Sequence, residues 1–96
     1  MELNYTAGSI AQLENETRKP FTSLLTEYSV NNIVLLTKNG LGHGVTTEEA
    51  TAKIDEYLKD NMLEDLYLEI LKKLEEGHFL PRQVAEELKK ALATKE

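Results

Sequence analysis

Between Asn61 and Gly77 a start signal, an apolar spacing and a stop signal all specify the same helix, and such a helix cannot stand alone. Asn61 is an N-cap residue, with Glu64 three positions on to complete a capping box. Leu63, Leu66, Tyr67, Ile70, Leu71 and Leu74 then fall three and four apart, on one face. Lys72 and Lys73 lie near the negative end of the helix dipole, and Gly77 offers the left-handed conformation that closes many helices. Burying that one face does not offset the entropy of ordering about fifteen residues, so the rest of the chain has to supply a groove. Leu68 points away from the stripe, among Glu64, Lys72 and Glu75, the place of an ordinary exposed or edge-buried leucine or, as the alternative, of a contact for a second chain.

The remaining segments read as further helices. Leu3 and Tyr5 alternate weakly, as in a short strand or an extended arm. Thr6 caps a helix with Ile10, Leu13 and Thr17 on one face, and Pro20 ends it and opens a two-turn piece carrying Phe21, Leu24, Leu25 and Tyr28. Ser29 caps Val30 to Lys38, where Ile33, Val34, Leu35 and Leu36 cover the helix all round, the pattern of a central element; Asn39 and Gly40 stop it. Gly40, Gly42 and Gly44 make a hinge. Thr46 with Glu49 forms a second capping box, opening a helix that buries Ala50, Ile54, Tyr57 and Leu58 and pairs with the Asn61 helix as an αα-hairpin. After the apolar link His78, Phe79 and Leu80, Pro81 begins a terminal helix over residues 81–93, with Val84, Leu88, Ala91 and Leu92 on its face; being terminal and modestly apolar, it is the element most easily displaced by a partner. The expected fold is therefore mainly α: one domain, residues 1–96, built as a compact bundle of about five to six short helices.

Composition narrows the function. Seventeen acidic against eleven basic residues give a net charge of −6, which opposes the counterion release that drives nucleic-acid binding, and the basic residues form separate pairs with no stripe. No apolar run approaches the length of a membrane span, and Glu2 stands where a signal peptide carries basic residues, so the expectation is a soluble chain that is not exported. With no Cys, and with His43 and His78 far apart, neither a metal site nor a cofactor site is expected. Ser9, Ser23 and Ser29 sit at helix starts or on helix faces without a base nearby, and no catalytic constellation emerges. The glycine cluster lacks the lysine and the preceding strand of a P-loop. An acyl carrier protein is also small, acidic and helical, but it needs a serine opening its second helix; this chain has Thr46 or Asn61 at its later helix starts.

The order Thr6, Ala7, Gly8, Ser9, Ile10, Ala11, then Pro20 and Phe21 with Leu24 and Leu25, then Asn32 to Leu36 up to Gly40, resembles the small tail assembly chaperones of long-tailed bacteriophages and prophages. The resemblance continues through Thr46, Glu48, Glu49 and Ala50, through Ile54 to Leu58, and through Leu63 to Leu74 and Phe79, and stops at Pro81. It implies a non-enzymatic helical protein of the host bacterial cytoplasm. Its implied partners are the tape measure protein, which it keeps soluble, and the tail tube protein, with self-association open. A chaperone for a helical client needs apolar surface that a groove or a movable helix exposes. The surface expected from this chain is Leu68, Phe79, Leu80, Val84, Leu88 and Leu92, with Val84, Leu88 and Leu92 read first as structural core. The competing reading is a small helical phage regulator or antitoxin-like binder. Against DNA recognition, the Asn61 helix opens with Met62, Leu63, Glu64 and Asp65, where base and phosphate contacts want Arg, Lys, Asn or Gln.

Overall fold

A computed structural model describes residues 1–42 and 44–95, with side chains through residue 90. Among these are six helices and no strand: α1 (Ala7–Thr17), α2 (Phe21–Thr26), α3 (Val30–Leu41), α4 (Thr47–Tyr57), α5 (Leu63–Glu76) and α6 (Arg82–Lys95). The radius of gyration, 12.9 Å, is close to the value of about 12.5 Å for a folded chain of this length. The fold is the mainly α bundle expected.

Three helix starts follow their local signals. Thr6 accepts from the Ser9 N–H while Ser9 Oγ accepts from the Thr6 N–H, a closed capping box. Ser29 Oγ accepts from the Asn32 N–H, and Thr46 Oγ1 from the Glu49 N–H. The start of α2 is different. Pro20 occupies the N-cap position and makes no side-chain cap, so Glu14 of α1 reaches across the corner and accepts the Phe21 N–H at 2.9 Å.

The centre of the bundle is α3, which packs against α1, α2, α4 and α5. Ile33 and Leu36 are fully buried in it, as the unbroken apolar run implies. The long amphipathic α5 lies beside it, with Leu66, Ile70 and Leu74 fully buried, and carries α6 on its other flank. The sequence expectation that α4 pairs mainly with α5 is corrected here: α4 folds back onto α3, and it is α3 that both helices share.

The other corrections concern helix ends. Gly40 does not stop α3; it is a buried residue within it, and Gly42 is the C-cap. The reason is the N-terminal arm, which is extended without being a strand. Its Leu3 and Tyr5 are buried, the Asn4 N–H donates to the Gly40 carbonyl at 2.8 Å, and the Tyr5 hydroxyl donates to the Leu36 carbonyl at 2.7 Å. A Cβ at residue 40 would come within 2.7 Å of the Tyr5 ring, so glycine is there for space. At the start of α5 the N-cap is Met62, one residue later than expected, and its N–H donates to Asp65 at 2.8 Å. Asn61 belongs to the end of α4, where its side-chain amide and its backbone N–H both donate to the Tyr57 carbonyl.

The end of α5 is a Schellman motif displaced by one residue. Gly77 has φ −84°, and the left-handed residue is His78, φ 62°. The His78 N–H donates to the Glu75 carbonyl and the Phe79 N–H to the Leu74 carbonyl, the pairings that define the motif. Phe79 then folds back so closely that a Cβ on Gly77 would meet its ring at 2.7 Å.

Candidate functional site

The six residues expected to form a partner surface are mostly used within the bundle. Leu80 and Leu88 are buried members of the core; Leu68, Phe79 and Val84 are half-buried and packed against it. The side chain of Leu92 lies outside the described residues. Phe79, Leu80, Val84 and Leu88 therefore belong to the seam by which α6 and its connector sit on α5, and a partner reaches Leu80 and Leu88 only by lifting α6. That seam is reinforced at its edge by Lys89 and Glu75, 3.5 Å apart, an exposed pair worth at most about 1 kcal/mol. Leu68 stays off the main stripe but is not free, because the partly buried face around it closes onto the core.

Among the described residues, the large apolar side chains that do face outward are Tyr28, Val30, Leu58 and Met62, with Met1 at the margin. Met62 is 69% exposed, Val30 61% and Tyr28 54%, values that set them apart from the half-buried seam. Two of them were expected inside. Tyr28 was placed on the buried face of the second helix, but α2 ends at Thr26 and Tyr28 has left the helix. Leu58 was placed on the buried face of α4, but it is the C-cap, one step past the last helical residue. Val30 and Met62 sit at a first helical position and an N-cap, where side chains splay away from the packed stripe.

Two tyrosines at these helix boundaries, Tyr28 and Tyr57, reach α5. On one side the Tyr28 ring meets Tyr67 edge-on, with centroids 5.2 Å apart and an interplanar angle of 84°, and the Tyr67 hydroxyl donates to the Leu25 carbonyl. On the other side the Tyr57 phenol, at the end of α4, lies near Glu69 and Asp65. Partial burial first, and then those two carboxylates, raise the Tyr57 phenol above its ordinary value; burial and then Tyr28 do the same for Tyr67. Tyr67 thus ties α5 to the α2–α3 junction, while Asp65 and Glu69 lie toward the end of α4. A small open pocket of about 300 Å³, lined by Met1, Ala52, Lys53, Glu56 and Tyr57, adjoins it.

A wider concavity of about 870 Å³ runs between the starts of α1 and α4 and the end of α3, past Ser9, Lys38, Asn39 and Gly44. At its two helix starts the N–H groups of Ser9 and Glu49 are already taken by Thr6 and Thr46. His43, in the adjoining loop, lies outside the described residues. Ser9 and Ser29 are committed to caps, Ser9 Oγ also donating to the Thr6 carbonyl. Among the described residues no three His, Cys, Asp or Glu side chains are grouped to hold a metal ion, and no helix is long and apolar enough to cross a membrane. No protein family, characterised protein or solved structure matches this chain.

Proposed function

We propose that the chain is a tail assembly chaperone of a long-tailed phage or prophage. In this reading it is a non-enzymatic protein of the host cytoplasm that binds the helical tape measure protein, keeps it soluble and assists assembly of the tail tube around it. The observation that supports the reading best is the exposure of Tyr28, Val30, Leu58 and Met62 on a small helical bundle with net charge −6. Exposed apolar side chains favour contact with another apolar surface, while the charge keeps the carrier itself in solution. A helical client buries its own stripe on such a surface without either partner having to unfold. The α5–α6 seam, with Leu80 and Leu88 beneath it, supplies additional apolar area if α6 is lifted.

The direct test is co-expression with a tape measure protein encoded in the same genome. The soluble fraction of the client is expected to rise in the presence of this chain and to co-purify with it. Client solubility that does not change would overturn the reading, and tight DNA binding at physiological salt would replace it with the regulatory one.

A further inference from the structure

Of the asparagines in the chain, Asn4, Asn15, Asn31, Asn32, Asn39 and Asn61, Asn39 is the one followed by glycine. An Asn-Gly pair is prone to deamidation, because glycine has no Cβ to hinder its nitrogen and reaches conformations closed to other residues. In that reaction the Gly40 nitrogen gives up its proton to base and bonds to Asn39 Cγ. The Cγ–Nδ2 bond breaks, ammonia leaves, and water opens the resulting succinimide at either carbonyl to give aspartate or isoaspartate. Inside α3 a helical backbone, with ψ near −42°, holds the Gly40 nitrogen out of line for that ring closure. The pair lies, however, in the last turn of a helix that ends at Leu41, and helix ends open before helix centres. What fastens this turn is the N-terminal arm. The Asn4 N–H takes the Gly40 carbonyl, the Tyr5 hydroxyl takes the Leu36 carbonyl, and the Tyr5 ring fills the space beside Gly40. We infer that Asn39–Gly40 is a deamidation site guarded by the N-terminal arm, and that its reaction unfastens α1 from α3.

The consequence follows from what the Asn39 amide does. Its Nδ2 donates to the Ser9 carbonyl of α1 at 2.9 Å, while its Oδ1 is buried and no donor among the described residues reaches it. An amide suits that place, with its donor used and one acceptor idle. An ionised aspartate only accepts, so it sets an oxygen against the Ser9 carbonyl and leaves its second oxygen where no donor comes. Burying a charge without a partner is costly, and the side chain has to leave the interface. Isoaspartate lengthens the backbone by one methylene and breaks the helical register at the same residue. Either product persists after the arm closes again, so a chain whose arm has stood open carries a permanent mark. The inference is independent of what the chain binds.

The test follows the mass gain at residue 39 by peptide mapping of the full-length chain, incubated at mildly alkaline pH either folded or in urea. Deamidation is expected to be at least about tenfold slower in the folded chain, because only the opened turn reacts. Tyr5→Phe, which removes the bond to Leu36, is expected to speed the folded-state reaction about fivefold, and Tyr5→Ala, which also uncovers Gly40, by more than that. Amide exchange at the buried Leu66 and Ile70 of α5 reports global unfolding, and the gain at residue 39 should exceed any gain there. In Asn39→Asp, exchange at Ile10 and Leu13 of α1 is expected to rise about tenfold relative to those α5 amides. No mass gain in urea, or equal rates folded and in urea, overturns the inference. So do Tyr5 variants that react no faster than global unfolding accounts for, and an Asn39→Asp chain whose α1 exchange is unchanged.

Discussion

Replacing Gly40 by alanine sets two well-understood effects against each other, and the structure says which wins. Within a helix alanine is favoured over glycine by about 1 kcal/mol, and residue 40 lies inside α3 with no positive φ. On propensity alone Gly40→Ala stabilises. The new methyl group, however, would lie 2.7 Å from Cζ and Oη of Tyr5 and 3.1 Å from Cδ2 of Leu3. The tip of that ring cannot swing aside freely, because Tyr5 is only 8% exposed and its hydroxyl is bonded to the Leu36 carbonyl. Overpacking of this kind costs about 1–3 kcal/mol, and losing the hydrogen bond adds about 1 kcal/mol. The expected net effect is a loss of about 1–3 kcal/mol, where each kcal/mol moves the melting temperature by about 4–8 °C for a domain of this size. In a Tyr5→Ala background only the Leu3 methyl, at 3.1 Å, has to give way, and Gly40→Ala should then stabilise by up to about 0.5–1 kcal/mol. Urea denaturation of the wild type, both single variants and the double variant gives a cycle whose coupling should be about 2 kcal/mol. A Gly40→Ala change that stabilises both backgrounds equally would refute the account of why glycine stands there.

Two further expectations follow from the arm and from the end of α5. His78→Gly should raise stability by about 0.5–1 kcal/mol, since His78 is held at φ 62°, whereas Gly77→Ala should lower it by about 1 kcal/mol because the added methyl meets the Phe79 ring; urea midpoints that move in the opposite directions would contradict the displaced Schellman motif. Burial pushes the Tyr5 phenol well above its ordinary value, so the folded chain holds that proton more tightly than the unfolded chain. Its contribution is complete below the unfolded value of about 10 and is lost as pH rises past it. Tyr5→Phe should flatten that alkaline decline in a urea titration while costing about 1 kcal/mol at neutral pH through the hydrogen bond to Leu36.

The fold was legible wherever its cause is local. Thr6, Ser29 and Thr46 announce their helices because a cap is satisfied within three residues, and the run from Ile33 to Leu36 marks a helix that has to be covered on every side. What the sequence misplaced depends on distant neighbours. Gly40 reads as a stop until Tyr5, 35 positions earlier, is known to fill the space a side chain would take. The Glu14 cap on α2 is invisible for the same reason, since nothing in the α2 segment names its acceptor. Asn61 and Gly77 are each one residue from the position that performs the expected role, because the turn that ends α4 and the return of Phe79 fix the register. The candidate surface was the least legible part. Val84 and Leu88 have the spacing of a face, and spacing does not say whether that face meets α5 or a partner. Met62 and Val30 carry no periodic signal, because their exposure comes from standing at the boundary of a helix.

That α3 lies at the hub has a bearing on how the chain comes off the ribosome. Synthesis delivers α1 and α2 before Ile33 and Leu36 emerge, so the greasiest helix is met by two packing partners as it appears. The later helices then settle on a nascent surface that already exists, α4 and α5 directly on the hub and α6 on α5. Until α4 arrives, the face of the hub that α4 and α5 cover stays open, so that interval is when the growing chain is most adhesive.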